Sequence, residues 1–378
     1  MERDQASKFI NDLLRLMVSR NGSDLFITAD FPPAIKVDGK VTKVSQQALT
    51  PAHTLALARS IMSDKQAAEF ERTKEANFAI SPATVGRFRV NTFVQQGHVG
   101  MVLRVIPLDI PTIDGLGLPQ VSKDIAMQKR GLCILVGATG SGKSTSLAAM
   151  VDWRNQHSFG HIVTIEDPVE FVHTHKNCVI TQREVGLDTD SWEVALKNSL
   201  RQAPDVILMG EIRDRETMEH AIAFSETGHL CLATLHANSA NQAMDRIVNF
   251  FPEERRAQLL MDLSLNLRAI MSQRLIPRQD GKGRVAALEV LINSPRIADL
   301  IFKGEVSEIK EAMKLSRNQG MQTFDQAMFD LFEANIISYE DALRNADSLN
   351  DLRLQIKLHS TRGRVANLSA GTEHLSVV

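Results

Sequence analysis

The sequence predicts an α/β protein: a parallel-sheet domain, a smaller mixed α+β domain before it, and helices after it. Two observations carry this. From about residue 120, apolar strand-like runs alternate with helix-like stretches, the pattern of a parallel sheet with crossover helices. Within that alternation, Gly137-x4-Gly142-Lys143-Ser144 follows the apolar run 132–136 and precedes a helix-forming stretch. Strand, glycine-rich loop and helix is the context in which this motif binds phosphate.

The chain has 378 residues, with 43 Lys plus Arg, 45 Asp plus Glu and a formal net charge of −2. With 43% hydrophobic and 23% charged residues it has an ordinary globular composition, which excludes collagenous, disordered and disulfide-scaffold classes. The near-neutral charge, without a basic stripe, speaks against a dedicated nucleic-acid binder. Cys133, Cys178 and Cys231 are far apart in sequence and form no CxxC pair, so reduced, buried thiols are expected. The N-terminus mixes charge into its apolar positions, unlike a signal peptide. No run of about 18 apolar residues suggests a membrane span, so membrane association is expected only through partners.

Residues 1–107 read as one small domain. Phe9, Leu13, Leu14 and Met17 recur at helical spacing. A turn cluster at Asn21–Asp24 leads into a short strand around 25–28, and 35–41 reads as a hairpin turning at Asp38-Gly39. Residues 51–71 read as one helix started by Pro51. Strands follow around 77–80, 86–94 and 99–106. Residues 108–119, dense in Pro and Gly, read as a linker. Residues 120–358 form the second domain, mainly helical after about 255. The last twenty residues, 359–378, read as a flexible tail.

Glycines let backbone N–H groups wrap a phosphate, and the helix that follows adds its positive end. The loop residues Gly137, Thr139, Gly140, Ser141, Gly142, Lys143, Ser144 and Thr145 are therefore the candidate ATP site. Lys143 is expected to reach the β- and γ-phosphates, and the Ser144 hydroxyl to ligate Mg²⁺. Three further apolar runs end in chemistry-bearing residues: 162–165 before Glu166, Asp167 and Glu170; 206–209 before Gly210-Glu211; and 230–235 before His236. Ligands of open parallel sheets lie beyond the carboxyl ends of the strands, which places these residues at the phosphate-loop edge.

Glu211 is the candidate for polarising the attacking water. Gly210 stands where the commonest pattern has a metal-binding Asp, so Glu211 or Glu170 is expected outside the metal's inner shell. Of Glu166, Asp167 and Glu170, one is expected to hold Mg²⁺ water or orient Glu211, and each reads equally as a salt-bridge acid beside neighbouring Arg residues. His229 and His236 bracket one strand, roughly 23 Å apart if it is fully extended; His236 is the better γ-phosphate sensor, and His229 faces the other end. Arg87 and Arg89 share one face of a strand, and Arg104 lies in the next. The pattern alone leaves open a solvated face or an arginine finger, with the solvated face favoured.

Taken together, Gly137–Thr145, Ile165–Glu170, Asp205–Asp214 and Thr227–His236, with Gly22–Leu25, Arg87–Asn91 and Gly320–Thr323 outside the core, resemble the PilT/PilU group of type IV pilus retraction ATPases, in the secretion-ATPase superfamily. The likeness spans roughly residues 5–358. It implies a PAS-like first domain, a RecA-like ATPase domain, and a homo-hexameric ring that hydrolyses ATP to retract pili in twitching motility. It also implies that ATP lies between the two domains, with Arg89 matching a nucleotide-contacting arginine. The implied ring is cytoplasmic, peripheral to the inner membrane, and acts on a membrane platform protein. The family's C-terminal helical motif is altered here to Arg296–Lys303, and the chain runs on past Leu358. Both features resemble the accessory PilU branch, which implies a PilT-like paralogue as partner. A RecA-like nucleic-acid translocase and a nucleotide-binding scaffold subunit are the competing readings. ATP turnover indifferent to DNA separates the first of these from a pilus motor.

Overall fold

The computed structural model describes residues 2–37, 39–107 and 109–362. They form two compact units, one running to Asp109 and including residues 170–172, the other made of the described residues from Ile110 on without those three.

The first unit opens with α1 (Arg3–Ser19), whose Ile10, Leu14 and Met17 are fully buried. Six antiparallel strands follow: β1 (Asp24–Ile27), β2 (Ala34–Val37), β3 (Lys40–Lys43), β4 (Glu75–Ile80), β5 (Arg87–Gln95) and β6 (His98–Ile106). Their order is β3-β2-β1-β6-β5-β4. Phe88, Val90, Leu103 and Leu25 line the buried face, as the period of two requires.

The expected single helix over 51–71 is two helices, α2 (Pro51–Ser60) and α3 (Asp64–Thr73). The break has a local cause. Ser63 accepts from the Gln66 backbone N–H while the Gln66 side chain accepts from the Ser63 N–H. This capping box starts a new helix without Gly or Pro, and such a cap contributes about 1 kcal/mol.

The second unit is a seven-stranded sheet with helices. In chain order its elements are α4 (Val121–Ala126), β7 (Gly131–Val136), α5 (Lys143–His157), β8 (Gly160–Glu166), β9 (Cys178–Glu184), α6 (Trp192–Ser199), β10 (Val206–Met209), α7 (Arg215–Glu226), β11 (Leu230–Leu235), α8 (Ala240–Asn249) and α9 (Glu253–Asn266). A hairpin follows, β12 (Leu267–Pro277) and β13 (Arg284–Ile292), then α10 (Pro295–Lys303), α11 (Ile309–Leu315), α12 (Phe324–Glu333), α13 (Tyr339–Arg344) and α14 (Leu349–His359). The sheet order is β13-β12-β7-β11-β10-β8-β9. All pairings are parallel except β12 with β13.

β7, β10 and β11 are buried at every residue, which is why they read as unbroken apolar runs rather than alternating ones. The hairpin corrects the expectation of a mainly helical region after 255. Polar residues inside its strands, Ser272, Gln273 and Glu289, hide the strand signal. Each is buried and hydrogen-bonded by tertiary partners.

The segment expected as a linker is grouped with the second unit from its third residue on. The division falls between Asp109 and Ile110, and Ile113 and Leu118 are buried in the core of the second unit. Similarly, the expected flexible tail is fixed at its start. His359 ends α14, Ser360 is buried, and Ser360 and Thr361 both bond Glu333 on α12. Residues 363–378 lie outside the described residues.

The C-terminal helices are tied to the sheet through Arg274 on β12. Its guanidinium donates to the Asn345 carbonyl (2.7 Å) and to Asp347 (2.8 Å), and lies over the Phe324 ring at 3.8 Å. Burial pushes the Asp347 carboxyl up, but the Lys310 hydrogen bond and the two cations hold it below its ordinary value.

Candidate functional site

The phosphate loop connects β7 to α5, and its shape depends on glycine at two places. Gly137 has φ 158° and Gly142 has φ 87°. A Cβ on Gly137 would meet Ser141 Oγ at 2.4 Å and the Gln273 carbonyl at 2.7 Å; one on Gly142 would meet Gln273 Nε2 at 2.8 Å. Lys143 is the first residue of α5 and is 8% exposed. Its Nζ donates to the carbonyls of Gly137 (2.8 Å) and Ala138 (3.0 Å), which holds the ammonium inside the curl of the loop. Thr139 and Gly140 are exposed at the tip, and Ser144 and Thr145 are half-buried in the first helical turn.

The residues fit a nucleoside triphosphate. Ser141 Oγ is buried without a hydrogen-bond partner, in a loop whose amides and helix N-terminus favour an anion. A cavity of about 220 Å³ adjoins the loop, lined by Gly137 to Ser141, Asn238 and β12 residues among others. Ser144, next to the lysine, supplies the hydroxyl that suits Mg²⁺ in such loops. Among the described residues, no group of three or more His, Cys, Asp or Glu side chains is placed to hold a metal by itself.

Beyond the carboxyl ends of β8, β10 and β11, four side chains meet. Glu211 Oε2 accepts from Arg213 Nε at 3.0 Å, and Glu211 Oε1 lies 3.2 Å from His236 Nε2. Arg213 reaches on to Asp167 at 3.3 Å. Burial works against the Arg213 charge, but the two carboxylates outweigh it and hold the guanidinium firmly protonated. Thr234 on β11 donates to the Gly210 carbonyl, and the Ile212 N–H donates to the Thr234 carbonyl, which fixes the turn that presents Glu211. β10 is two strands from β7 in the sheet order, so at the usual strand spacing this cluster lies about 10 Å across the sheet edge from the phosphate loop.

Other candidates are placed differently. Glu166 turns back to Thr164 Oγ1 (2.6 Å) and Gln182 (3.2 Å), the structural reading of that acid. Glu170 is exposed and belongs to the stretch 170–172 counted with the first unit. His229 precedes β11 at the end opposite His236 and bonds the Phe224 carbonyl and Thr227. Arg89 is exposed on β5 and faces Arg104 across the strand pair, where Arg104 is held by Asp24 at 2.7 Å.

All three cysteines are free and buried. Burial pushes the Cys133 thiol up to about 12, which makes it unreactive. Sequence reasoning missed Arg213, whose signal was its position two residues past Glu211. It also missed Gln273, whose signal was a polar residue inside an apolar strand.

A phosphate loop on β7, an acid beyond β10 and a histidine beyond β11, on a mostly parallel sheet, define a RecA-like P-loop ATPase. The family model described as "Type II/IV secretion system protein" matches residues 2–344, and the chain belongs to that family. It is 60% identical to the "Type IV pilus ATPase PilU" of Pseudomonas aeruginosa, over 97% of this chain and 95% of that protein. It is 43% identical to the "Type IV pilus retractation ATPase PilT" of the same organism, over 89% of this chain and 98% of that one. Among solved structures, that of the pilus retraction motor PilT with bound ADP superposes with a TM-score of 0.86 at 40% identity, covering 91% of this chain and 99% of that chain.

Proposed function

We propose that this chain is an ATP-hydrolysing motor of type IV pilus retraction, acting as the accessory PilU-type ATPase beside a PilT-like paralogue. The observation that carries this is the pairing of an intact phosphate loop with Glu211 at one sheet edge, in a chain with a 60% identical relative named as a pilus ATPase. The loop amides and Lys143 grip the β- and γ-phosphates. Ser144 would hold Mg²⁺, which when bound would neutralise charge on the phosphate oxygens. Glu211 orients and deprotonates the attacking water, His236 senses the γ-phosphate beside it, and Glu170 stands outside the metal shell. The resemblance further assigns a homo-hexamer, a membrane platform protein as the object of the force, and contact with the membrane only through partners. No helix among the described residues is long and apolar enough to cross a membrane.

The test is a retraction assay in cells lacking this gene, its paralogue, or both. Loss of this gene should weaken retraction under load, and loss of the paralogue should leave this chain unable to drive retraction alone. Wild-type retraction in the single deletion, at every load, would refute the accessory role.

Arg89 is assigned to the nucleotide by the resemblance. Arg89→Ala should lower kcat roughly tenfold to a thousandfold, the lower range of arginine-finger effects and below. Because the side chain is exposed, the melting temperature should hold. Unchanged steady-state kinetics would return Arg89 to a solvated strand face.

A further inference from the structure

Gln273 belongs to none of the motifs that define the ATPase, yet it is 4% exposed and is built into the phosphate loop at both ends of its amide. Nε2 donates to the Ser141 carbonyl at 2.8 Å, and Oε1 accepts from Ser146 Oγ, in the first turns of α5, at 2.7 Å. Its backbone carbonyl is one of the two atoms, with Ser141 Oγ, that a side chain on Gly137 would strike. The register explains the reach: Ser272 is paired with Val136, the last residue of β7, so Gln273 stands beside the first residue of the loop.

The chemistry suits an amide here. One end must donate to a carbonyl and the other must accept from a hydroxyl, and a carboxamide offers both at its two ends without carrying charge. Ser141, whose carbonyl is held, carries the buried Oγ that has no protein partner.

We propose that Gln273 is a positioning residue for nucleotide binding. It clamps the loop to β12 and to α5, so that the loop amides and Ser141 Oγ converge on the phosphates before nucleotide arrives. The amide does not touch the reacting atoms; it acts through the loop. The proposal rests on the reading of the loop as an ATP site.

The test compares MgATP and MgADP affinities, KM, kcat and nucleotide-free melting temperature for the parent, Gln273→Met, Ser146→Ala and the double variant. One hydrogen bond corresponds to roughly a threefold to tenfold change in affinity. Gln273→Met, which keeps the volume and loses both bonds, should weaken both nucleotides roughly tenfold or more. It should raise KM more than it lowers kcat. Ser146→Ala should weaken binding about threefold, with the melting temperature near the parent's. Because both act through one amide, the double variant should match Gln273→Met rather than the product of the two.

Parental affinity in Gln273→Met, or purely multiplicative losses, would overturn the clamp. Should Gln273→Met not fold, Ser146→Ala decides alone, and parental affinity there overturns it. The parent titration separates the two levels. A parent that binds no nucleotide sinks the ATP-site reading itself, whereas a parent that binds as well as its variants do sinks only the role of Gln273.

Discussion

Lys143→Ala is expected to abolish tight nucleotide binding. The ammonium is buried at the start of α5 and held by two loop carbonyls, so its charge is delivered into a site of low dielectric where phosphate charge would lie. Removing one partner of a desolvated, hydrogen-bonded charge pair costs about 2–5 kcal/mol, a loss of roughly thirtyfold to several thousandfold in affinity. The fold should survive, because α5 is anchored by Leu147, Met150 and Val151, all buried in the sheet core. Calorimetric titration with MgATP reads the outcome, with the nucleotide-free melting temperature as control. Parental affinity would mean that the loop amides alone bind the phosphates and that the lysine only closes the loop. The two roles also differ in salt dependence. A lysine that meets phosphate makes the parent's affinity fall more steeply with ionic strength than the variant's.

How much of this was legible in the sequence depends on where each residue gets its partners. β7, β10 and β11 announced themselves because strands buried on both faces carry mostly apolar residues, and Val206–Met209 and Leu230–Leu235 were read to the residue. The phosphate loop was legible because its φ values demand glycine at fixed positions. The β12–β13 hairpin was not, since Ser272, Gln273 and Glu289 look like surface residues until their partners, Glu289 for Ser272, Ser141 and Ser146 for Gln273, and the Ala240 N–H for Glu289, are seen. Those partners are 17 to 132 residues away in the chain, beyond any local pattern. The break between α2 and α3 was present in the sequence as Ser63-x-x-Gln66, a signal weaker than a missing Gly or Pro suggested. Arg213 shows the same limit at the site. Its spacing from Glu211 was visible, but the link to Asp167 exists only because β8 and β10 are neighbours in the sheet.

Glu211→Gln separates binding from chemistry. The amide has nearly the shape of the carboxylate, and its oxygen still accepts from Arg213 or His236, so the turn fixed by Thr234 should persist. The lost property is the negative charge that accepts a proton from water. General-base catalysis contributes about 10²–10⁴-fold, so kcat should fall by roughly that factor while MgATP affinity stays within about threefold, the effect of a single hydrogen bond. Single-turnover hydrolysis with saturating MgATP measures the first quantity and calorimetry the second. The other acids are poorly placed to substitute. Asp167 is paired to Arg213 on β8's side of the cluster, and Glu166 is turned to Thr164 and Gln182. Parental turnover would therefore require the water to be activated from outside this cluster, with Glu170 the first residue to replace. If instead binding fell together with turnover, Glu211 would act mainly by holding Arg213 and His236 in place. His236→Ala would then reproduce the defect, whereas a true base leaves that variant with intact binding and a smaller loss of kcat.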